Sequence, residues 1–394
     1  MKGIGKYIVR ATVAVALVFI GNLYGQDEAV QSFDQRCLWV VRSNITNVDL
    51  VDNLIKFAQL NRFNNLIVQV RGRGDALYNS EFVSKSILLQ DPAFDPLDYL
   101  IKKAHASGIM VHAWVNVYLV WSDKRLPDDK THILNRHPDW LDITEAGRVQ
   151  PGELVQNMDE LREGHEGLYL SPGHPDVPDY LLKVFEEIIS KYDIDGLHLD
   201  YIRYQDADFG RNPVARRIYE QYNGIDPLVL LSNQAEWSGN DRQFASRLKK
   251  WSDYRRYLIT DLIKQTHLLV ENIRPDCILS AAVKPNLYQA RDQFFQEWDV
   301  WLAAGYLDWV FPMNYTREIS DFANNIEIIY DNLPPKYRDR IIMGIATYNQ
   351  DAADVVDKLH YSRITRFKGI CLFSYNTFDL NPAYARPVFL EINK

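Results

Sequence analysis

Cysteine is scarce in this sequence. Its 394 residues include only Cys37, Cys277 and Cys371, which are widely spaced. An odd, sparse set of this kind excludes a disulfide framework and a Cys-x-x-Cys metal site. We therefore expect the three thiols to fill apolar core positions.

Clusters of positive charge are also missing. The chain has 44 Lys and Arg against 52 Asp and Glu, a formal net charge of −8, and no Lys/Arg-rich run. Nucleic-acid binding depends largely on such clusters, because they neutralise phosphates. The composition therefore argues against nucleic acid as a partner.

Long apolar runs are absent as well. Three basic residues precede a short apolar run at 11–20, whereas a membrane span needs about 17–25 residues. A basic start, a short apolar middle and a small residue near Gly25 are typical of a secretory signal peptide. We predict a leader at 1–25 and a single domain at 26–394 that is periplasmic or secreted, without stable membrane insertion. An uncleaved N-terminal anchor is the alternative.

Short runs rich in β-branched and aromatic residues alternate with segments of helical periodicity, and this alternation predicts the fold. Eight strands alternating with helices favour a parallel sheet closed into a (β/α)8 TIM barrel. A doubly wound open sheet is the alternative, but no GxGxxG or GKS/T loop follows the first strand. The predicted strands are Cys37–Arg42, Asn65–Arg71, Ile109–Asn116, Gly196–Ile202, Ile278–Lys284, Trp309–Tyr315, Ile341–Thr347 and Gly369–Tyr375.

Two connections are long enough to suggest function, about 118–175 after strand three and 204–248 after strand four. Long ordered connections often form lids or binding walls. Polar residues also gather at the C-terminal ends of the predicted strands, where the active face of a barrel lies. We therefore expect the site at this rim.

Strand four contains the leading catalytic candidate. The period of two places His198 and Asp200 on one face, with Asp200 near the rim. A carboxylate there can act on an anomeric carbon, activate water or stabilise an oxocarbenium ion. The alternative is a structural Asp200 that forms a salt bridge with Arg71 or Arg203.

Strand two continues into a Gly-rich segment that carries Arg71, Arg73 and Asp75. The two arginines could fix the ionisation of a carboxylate or clamp an acidic sugar. An ordinary loop salt bridge is the alternative.

Strands three and six supply candidate ligand groups at the same rim. Trp114 could stack on a pyranose and Asn116 could bind a hydroxyl, while Asn314 and Tyr315 end strand six. Core positions are the alternative for His112 and Trp114.

A second carboxyl group has several candidates. Asp75 follows strand two, Asp208 lies in the loop after strand four, and Glu297 stands at a predicted helix start. A first-turn acid is commonly a helix-dipole partner, and a loop acid is often simply solvated. These alternatives remain open for Glu297 and Asp208.

A metal site would need a different set of residues. His112, His198 and Asp200 might converge, joined by His174 from the loop. However, neither HxH on strand one nor HExxH is present, nor is a GxSxG elbow. We predict no metal and no cofactor.

Several boxes together resemble the glycosyl-hydrolase-like family ten, a family of extracytoplasmic TIM-barrel hydrolases. The resemblance runs in order from about residue 36 to 376. It rests on QVRGRGDALY (69–78), DPLDYLIKKAHASGIMVHAWVN (95–116), YLSPGHPDVPDYLL (169–182), DGLHLDYIRY (195–204), LSAAVKPN (279–286), WLAAGYLDWVFPMNYT (301–316) and GICLFSY (369–375).

The resemblance implies a glycoside hydrolase whose cleft is lined by residues of these boxes. One branch of the family acts on peptidoglycan glycan strands that have lost their stem peptides. By position, the cleft residues would be Arg71, Arg73, Asp75, Asn116, Asp200, Asn314 and Tyr315.

The chain departs from the family pattern at three positions. Many members carry a second Asp where this chain has Tyr201, and many have Pro at the position of Gln205. Asn or Asp is frequent at the position of Ser171. If the second Asp donates the proton in those relatives, this chain must take its acid from elsewhere.

The resulting prediction is a secreted glycoside hydrolase acting on a polysaccharide. Asp200 would be the ionised carboxylate, kept charged by Arg71 or Arg203, and Asp75, Asp208 or Glu297 would be the acid. Trp114, Asn116, His198, Asn314 and Tyr315, with Arg71, Arg73 and Arg203, would bind substrate. The alternatives are an inactive glycan-binding barrel, suggested by Tyr201, and a metal-dependent hydrolase or deacetylase.

Overall fold

The computed structural model of the protein describes residues 32–123, 125–143, 166–232 and 242–394. The predicted leader at 1–25 and parts of both long connections lie outside these residues. In the described part of the chain, no helix combines the length and the hydropathy needed to cross a membrane.

The predicted barrel is confirmed. Eight parallel strands pair in the order β8-β7-β6-β3-β2-β1-β10-β9. Backbone bridges from Val310 to Ile341 and from Met313 to Gly344 bring the two end strands together, so the sheet is a nearly closed barrel and not an open doubly wound sheet. The barrel strands are β1 (Gln35–Val40), β2 (Asn65–Arg71), β3 (Met110–Asn116), β6 (Gly196–Asp200), β7 (Ile278–Val283), β8 (Trp309–Pro312), β9 (Ile342–Ala346) and β10 (Gly369–Phe373).

Helices cover the outside of the barrel, and their apolar faces pack on its strands. The helix α2, for example, begins where Asp95 caps it and Pro96 fills its first turn. The helices are α1 (Val48–Leu60), α2 (Pro96–His105), α3 (Ile133–Arg136), α4 (Asp176–Lys191), α5 (Pro213–Asn223), α6 (Pro227–Ser232), α7 (Arg242–Ile273), α8 (Leu287–Gln293), α9 (Trp298–Ala303), α10 (Ile319–Asn332), α11 (Ala352–Ile364), α12 (Tyr375–Leu380) and α13 (Pro382–Ile392).

Most of the strands end earlier than predicted. The chain leaves β1 for a 3-10 helix at Arg42–Ile45, and after β6 Tyr201 adopts a left-handed backbone with φ of 52°. These residues directly follow the strands in the sequence but belong to a 3-10 helix and to a turn. The rim of the barrel is therefore built of loop residues that continue the strand sequence.

The two long connections are tied together above the rim. In the first, β4 (Leu119–Trp121) pairs antiparallel with β5 (Leu168–Tyr169). Asp142 then accepts hydrogen bonds from the backbone N–H of Gly210, in the second connection, at 2.9 and 3.1 Å. The described parts of the two connections are thus joined to each other on the C-terminal side of the barrel.

The barrel interior is filled by large side chains. Trp39 is 2% exposed and makes edge-on contacts with His198 and Tyr315. Gly344 leaves room for it, because an added Cβ would lie 3.0 Å from the Trp39 ring. The three cysteines are buried, as expected. The barrel is therefore a packed core with a solid floor beneath the rim.

Candidate active site

Asp200 is the last residue of β6 and lies beside Asn116 of β3. Its Oδ1 accepts a hydrogen bond from the backbone N–H of Tyr201 at 2.7 Å. The residue is 7% exposed, and burial raises the pKa of its carboxyl to about 6, against the opposing effects of the Tyr201 hydrogen bond and the Arg203 charge. Asp200 can therefore hold a proton near neutral pH.

Glu166 is a second carboxylate at this site, and the sequence did not reveal it. Its Oε2 lies 2.6 Å from Nη2 of Arg203 and accepts a hydrogen bond from the hydroxyl of Tyr169 at 2.5 Å. Burial opposes its ionisation, but Arg203 and Tyr169 outweigh burial and leave the pKa below its usual value. The charge of Glu166 in turn raises the pKa of Asp200.

Lys284 adds a cation next to the two carboxyl groups. It directly follows β7, and burial together with the nearby Arg203 charge lowers its pKa to about 8. Its Nζ lies 4.3 Å from the centre of the Phe294 ring, which Arg203 approaches at 5.2 Å. Among the described residues, no carboxylate forms an ion pair with Lys284, so its ammonium group is available to a ligand.

Two tyrosines complete the surroundings of Asp200. Tyr315 packs against Trp39 and Phe373, with ring centres 6.0 and 5.5 Å apart. Burial raises the pKa of Tyr315 and of Tyr201 well above the usual value, and the charge of Asp200 raises both further. Both hydroxyls therefore stay protonated and can donate hydrogen bonds.

The predicted arginine partners of Asp200 have other partners. Arg203 pairs with Glu166 and influences Asp200 only through space. Arg71 donates to the backbone carbonyls of Asn116 and Val117 and lies 5.9 Å from the Tyr180 ring. The reason for the difference is a register shift between Gln69 and Arg71 in β2, which takes Arg71 off the face of the barrel interior.

Asn116 is engaged in the protein itself. Its Nδ2 donates to the carbonyl of Gly72 at 2.7 Å, and its Oδ1 accepts from Nε1 of Trp114 at 2.9 Å. Both residues are buried, and these bonds connect the ends of β2 and β3. The hydrogen bonds of Asn116 therefore support the rim of the barrel.

Asn314 has a similar position at the end of strand β8. Its Nδ2 donates to the carbonyl of Phe322 at 2.9 Å, and its Oδ1 accepts from Nδ2 of Asn325 at 3.0 Å. These bonds hold the loop after β8 on helix α10. Tyr315, the next residue, is the one that faces the Asp200 region.

The three other predicted acids lie apart from the Glu166–Arg203 pair. Asp208 is 58% exposed and 3.9 Å from Arg211. Glu297 lies 3.7 Å from Nε of Arg256 on helix α7, and burial raises its pKa. Asp75 accepts a hydrogen bond from the backbone N–H of Arg73 at 2.9 Å and lines a separate cavity beside the site.

The histidines of the barrel have structural partners. Nδ1 of His198 is 2.9 Å from Oγ of Ser280, and Nε2 of His112 is 3.0 Å from Oδ1 of Asn65. Both are fully buried, and burial lowers the pKa of each. In the part of the chain that the structure describes, no three His, Cys, Asp or Glu residues form a metal-binding group.

The signal that could have indicated Glu166 is weak. It stands just before Leu168–Tyr169, and only the pairing of that short strand with Leu119–Trp121 brings it over the end of β6. Lys284 was visible as a polar residue at a strand end, but its proximity to Asp200 depends on the pairing of β6 with β7.

Comparison with known proteins identifies the family. The profile of the family described as glycosyl hydrolase-like 10 matches residues 34–362. The chain belongs to this family. The match confirms the family resemblance seen in the sequence boxes and includes both carboxylates of the site.

Two proteins with curated names are similar to this chain over most of its length. The chain is 24% identical to glycosyl hydrolase DigH of Escherichia coli K12 over 331 residues, which cover 78% of this chain and 67% of DigH. It is also 24% identical to glycosyl hydrolase YngK of Bacillus subtilis over 438 residues, covering 97% of this chain and 76% of YngK.

Solved structures agree on the fold of this family member. The PgaB (BpsB) glycoside hydrolase domain from Bordetella bronchiseptica superposes with a TM-score of 0.65 at 16% identity, covering 89% of this chain and 97% of that chain. An α-L-fucosidase from Paenibacillus thiaminolyticus superposes with a TM-score of 0.58 at 15% identity, covering 92% and 49%. Barrels of this architecture thus occur in glycoside hydrolases.

Proposed function

We propose that the protein is a glycoside hydrolase that cleaves O-glycosidic bonds with Asp200 and Glu166 as its two working carboxyl groups. The observation that carries the proposal is the opposite displacement of their pKa values at one end of the barrel. Glycosidases need one protonated and one ionised carboxyl group. Two carboxyl groups whose surroundings separate their pKa values are suited to these roles.

In this proposal Asp200 protonates the departing glycosidic oxygen. Its pKa of about 6 leaves part of the population protonated near neutral pH, which is the range that a general acid needs. The sequence alone favoured the ionised role for Asp200, because it suggested an arginine partner. That partner pairs with Glu166 instead, which supports the exchange of roles.

Glu166 acts as the ionised group on the side of the anomeric carbon. Arg203 and Tyr169 hold one of its oxygens, so its charge is fixed before substrate arrives. Such preorganisation stabilises the positive charge that develops on the sugar ring. Tyr315 and Lys284 are then placed to donate hydrogen bonds to substrate hydroxyl groups.

The proposed substrate is a bacterial polysaccharide, with peptide-free peptidoglycan strands as the first candidate. The sequence boxes resemble the family, one branch of which cleaves such strands, and this supports the choice; the family membership supports a carbohydrate substrate. The leader pattern at 1–25 supports action outside the cytoplasm. Fractionation of cells that express the full chain would test this location.

The decisive experiment incubates the protein lacking residues 1–25 with a polysaccharide panel that includes peptide-free peptidoglycan strands. Mass analysis of the products gives the substrate and the cleaved bond together, and Asp200→Asn serves as the inactive reference. Release of products by the parent protein and not by the variant supports the proposal. No product from any polysaccharide, with retained binding of one of them, would favour the inactive glycan-binding barrel.

A further inference from the structure

The loop between helices α8 and α9 packs against the C-terminal ends of β6 and β7. It comprises residues 294–297, and the carbonyl of Phe294 accepts from the backbone N–H of Tyr204, in the segment after β6, at 3.2 Å. The buried Phe295 has a left-handed backbone with φ of 56°, and its ring centre lies 3.8 Å from Cζ of Arg255. A bulky L residue keeps this conformation only where its surroundings hold it. The loop is therefore a fixed part of the rim.

Gln296, in this loop, joins the two strand ends through its side-chain amide. Its Nε2 donates to the carbonyl of Ile202, beyond β6, at 3.4 Å and to that of Ala282, in β7, at 3.1 Å. Its Oε1 accepts from the backbone N–H of Lys284 at 2.9 Å. The residue is 1% exposed. An amide side chain has two N–H donors and an acceptor oxygen, so the three bonds engage both of its polar atoms.

These bonds begin where the pairing of the two strands ends. The last paired positions of β6 and β7 are Leu199 and Ala281. Asp200 is the last residue of β6, and Lys284 directly follows β7. Gln296 thus continues the connection between the strands up to the rim, where one strand end carries an acid of the site and the other a cation.

Two aromatic residues on either side of Gln296 also contact the cations of the site. The centre of the Phe294 ring lies 4.3 Å from Nζ of Lys284 and 5.2 Å from Cζ of Arg203, and both distances allow cation–π attraction. Nε1 of Trp298 donates to the carbonyl of Lys284 at 3.1 Å. Lys284 is therefore held at its backbone N–H by Gln296, at its carbonyl by Trp298 and at its ammonium group by Phe294.

The position of Lys284 has an electrostatic consequence. Burial and the charge of Arg203 lower the pKa of Lys284, and the charge of Lys284 lowers the pKa of Asp200. A lysine ammonium group is strongly hydrated and has a flexible stem, so without its anchors it would move towards water and away from Arg203. Because the interaction of charges weakens with distance, the bonds that hold the Lys284 backbone also set these two effects.

We propose that Gln296 is a positioning residue of the site, which holds Lys284 beside Arg203 and Asp200 through its three hydrogen bonds and does not itself contact substrate. Its effect on cleavage rests on the proposed function. The position of Lys284 can be measured without a substrate.

The first test measures how the reaction of the Lys284 amine with acetic anhydride depends on pH, by mass spectrometry of the labelled peptides. In the parent protein this amine should titrate with a pKa of about 8. Gln296→Met replaces the amide with a side chain of similar length that cannot make the three bonds. The midpoint should then rise above about 9, towards the ordinary lysine value, because Lys284 gains access to water. An unchanged midpoint would overturn the proposal.

Controls for this test come from the same chain. Gln289→Met changes an exposed glutamine on helix α8 and should leave the Lys284 midpoint unchanged. The exposed Lys183 on helix α4 should be labelled alike in every variant. If thermal unfolding shows that Gln296→Met is not folded, Gln296→Asn takes its place. Its amide is one methylene shorter, so we expect a smaller rise in the same direction, and no rise would overturn the proposal.

The second test uses cleavage of peptide-free peptidoglycan strands. Gln296→Met should lower kcat/KM by about tenfold and move the alkaline fall of activity to higher pH, because Lys284 then acts less on Asp200. In the Lys284→Met background the same substitution should cause no further shift, since its effect passes through Lys284. Equal shifts in both backgrounds, or lower stability with an unchanged profile, would contradict the positioning role.

Failure of this inference is distinguishable from failure of the proposed function. If the Lys284 midpoint rises in Gln296→Met but no glycan is ever cleaved, only the catalytic proposal is wrong. If glycans are cleaved but the midpoint and the pH profile of Gln296→Met match those of the parent, only the positioning role is wrong.

Discussion

His198 and Asp200 face the same way from strand β6, yet their surroundings differ completely. His198 is fully buried against Phe311 and Trp39 and bonds to Ser280. Asp200 lies two residues further along the strand, towards the rim, where the charges of Arg203, Lys284 and Glu166 act on it. Two residues advance a strand by about 7 Å, so this short distance separates a structural core layer from a layer suited to chemistry.

The two layers differ in how they accommodate charge. In the layer of His198, the buried side chain has a neutral hydrogen-bond partner and aromatic contacts. Burial lowers the pKa of the histidine, so it stays uncharged. In the layer of Asp200, nearby charges of opposite sign partly offset the effect of burial. The pKa values of Asp200 and Lys284 therefore lie close to neutral pH. We expect substitutions in the upper layer to change rates and those in the lower layer to change stability.

Asp200→Asn should have the largest effect on activity, a loss of about 10³-fold, because it removes the proposed proton donor. Initial rates on peptide-free strands measure it. Asp208→Asn and Glu297→Gln should each stay within about threefold of the parent, since such charges away from the site typically shift energies by less than 1 kcal/mol. A larger loss in either variant would indicate that the substituted residue, and not Asp200, is the general acid.

The same variant should be more stable than the parent at pH 7.5. The folded pKa of Asp200, about 6, lies above the ordinary Asp value of 3.8, so the folded state binds more protons. The parent therefore loses stability as pH rises through this interval, and the variant lacks that part of the loss, about 1–3 kcal/mol. Urea unfolding at pH 4 and pH 7.5 checks the sign.

Glu166→Gln should reduce activity by about 10²-fold. It should also shift the fall of activity on the alkaline side to lower pH, because the charge that raises the pKa of Asp200 is gone. Profiles of kcat/KM against pH measure both effects. Glu186→Gln is the matched control, because Glu186 is an exposed glutamate on helix α4. An identical shift in that variant would contradict the assignment of Glu166 to the site.

Lys284→Met should give a smaller loss, about tenfold, through weakened substrate contacts. Its effect on the pH profile should have the opposite sign, since the Lys284 charge lowers the pKa of Asp200. The alkaline fall should therefore move to higher pH. Lys183→Met on helix α4 should leave the profile unchanged; a shift in the same direction for Lys284→Met and Glu166→Gln would contradict the proposed electrostatics.

Ser280→Ala should have the smallest effect on activity. It leaves Nδ1 of His198 without its partner in the core and should destabilise the protein by about 1–2 kcal/mol. Thermal unfolding measures the loss, and the pH profile should match that of the parent. A shifted profile would mean that the two layers are coupled and not independent.

Much of the fold followed from the sequence, because the sequence signals for strands, helices and turns are local. Each barrel strand is a short apolar run with its own turn signals, and their number and alternation with helices leave few possible architectures. The boundaries were less accurate at the C-terminal ends, where Tyr201 and Arg42 continue the strand pattern but belong to loops. Local pattern does not distinguish a strand residue from a rim residue.

Sequence patterns were enough to predict the barrel, the position of Asp200 at its rim and the family. Which charges meet at the rim depends on the tertiary structure. Glu166 reaches Arg203 only because the short strand at Leu168–Tyr169 folds back onto Leu119–Trp121, and Arg71 turns away because β2 shifts register. Charge pairing depends on distances between residues far apart in the chain, whereas strand patterning depends on neighbours.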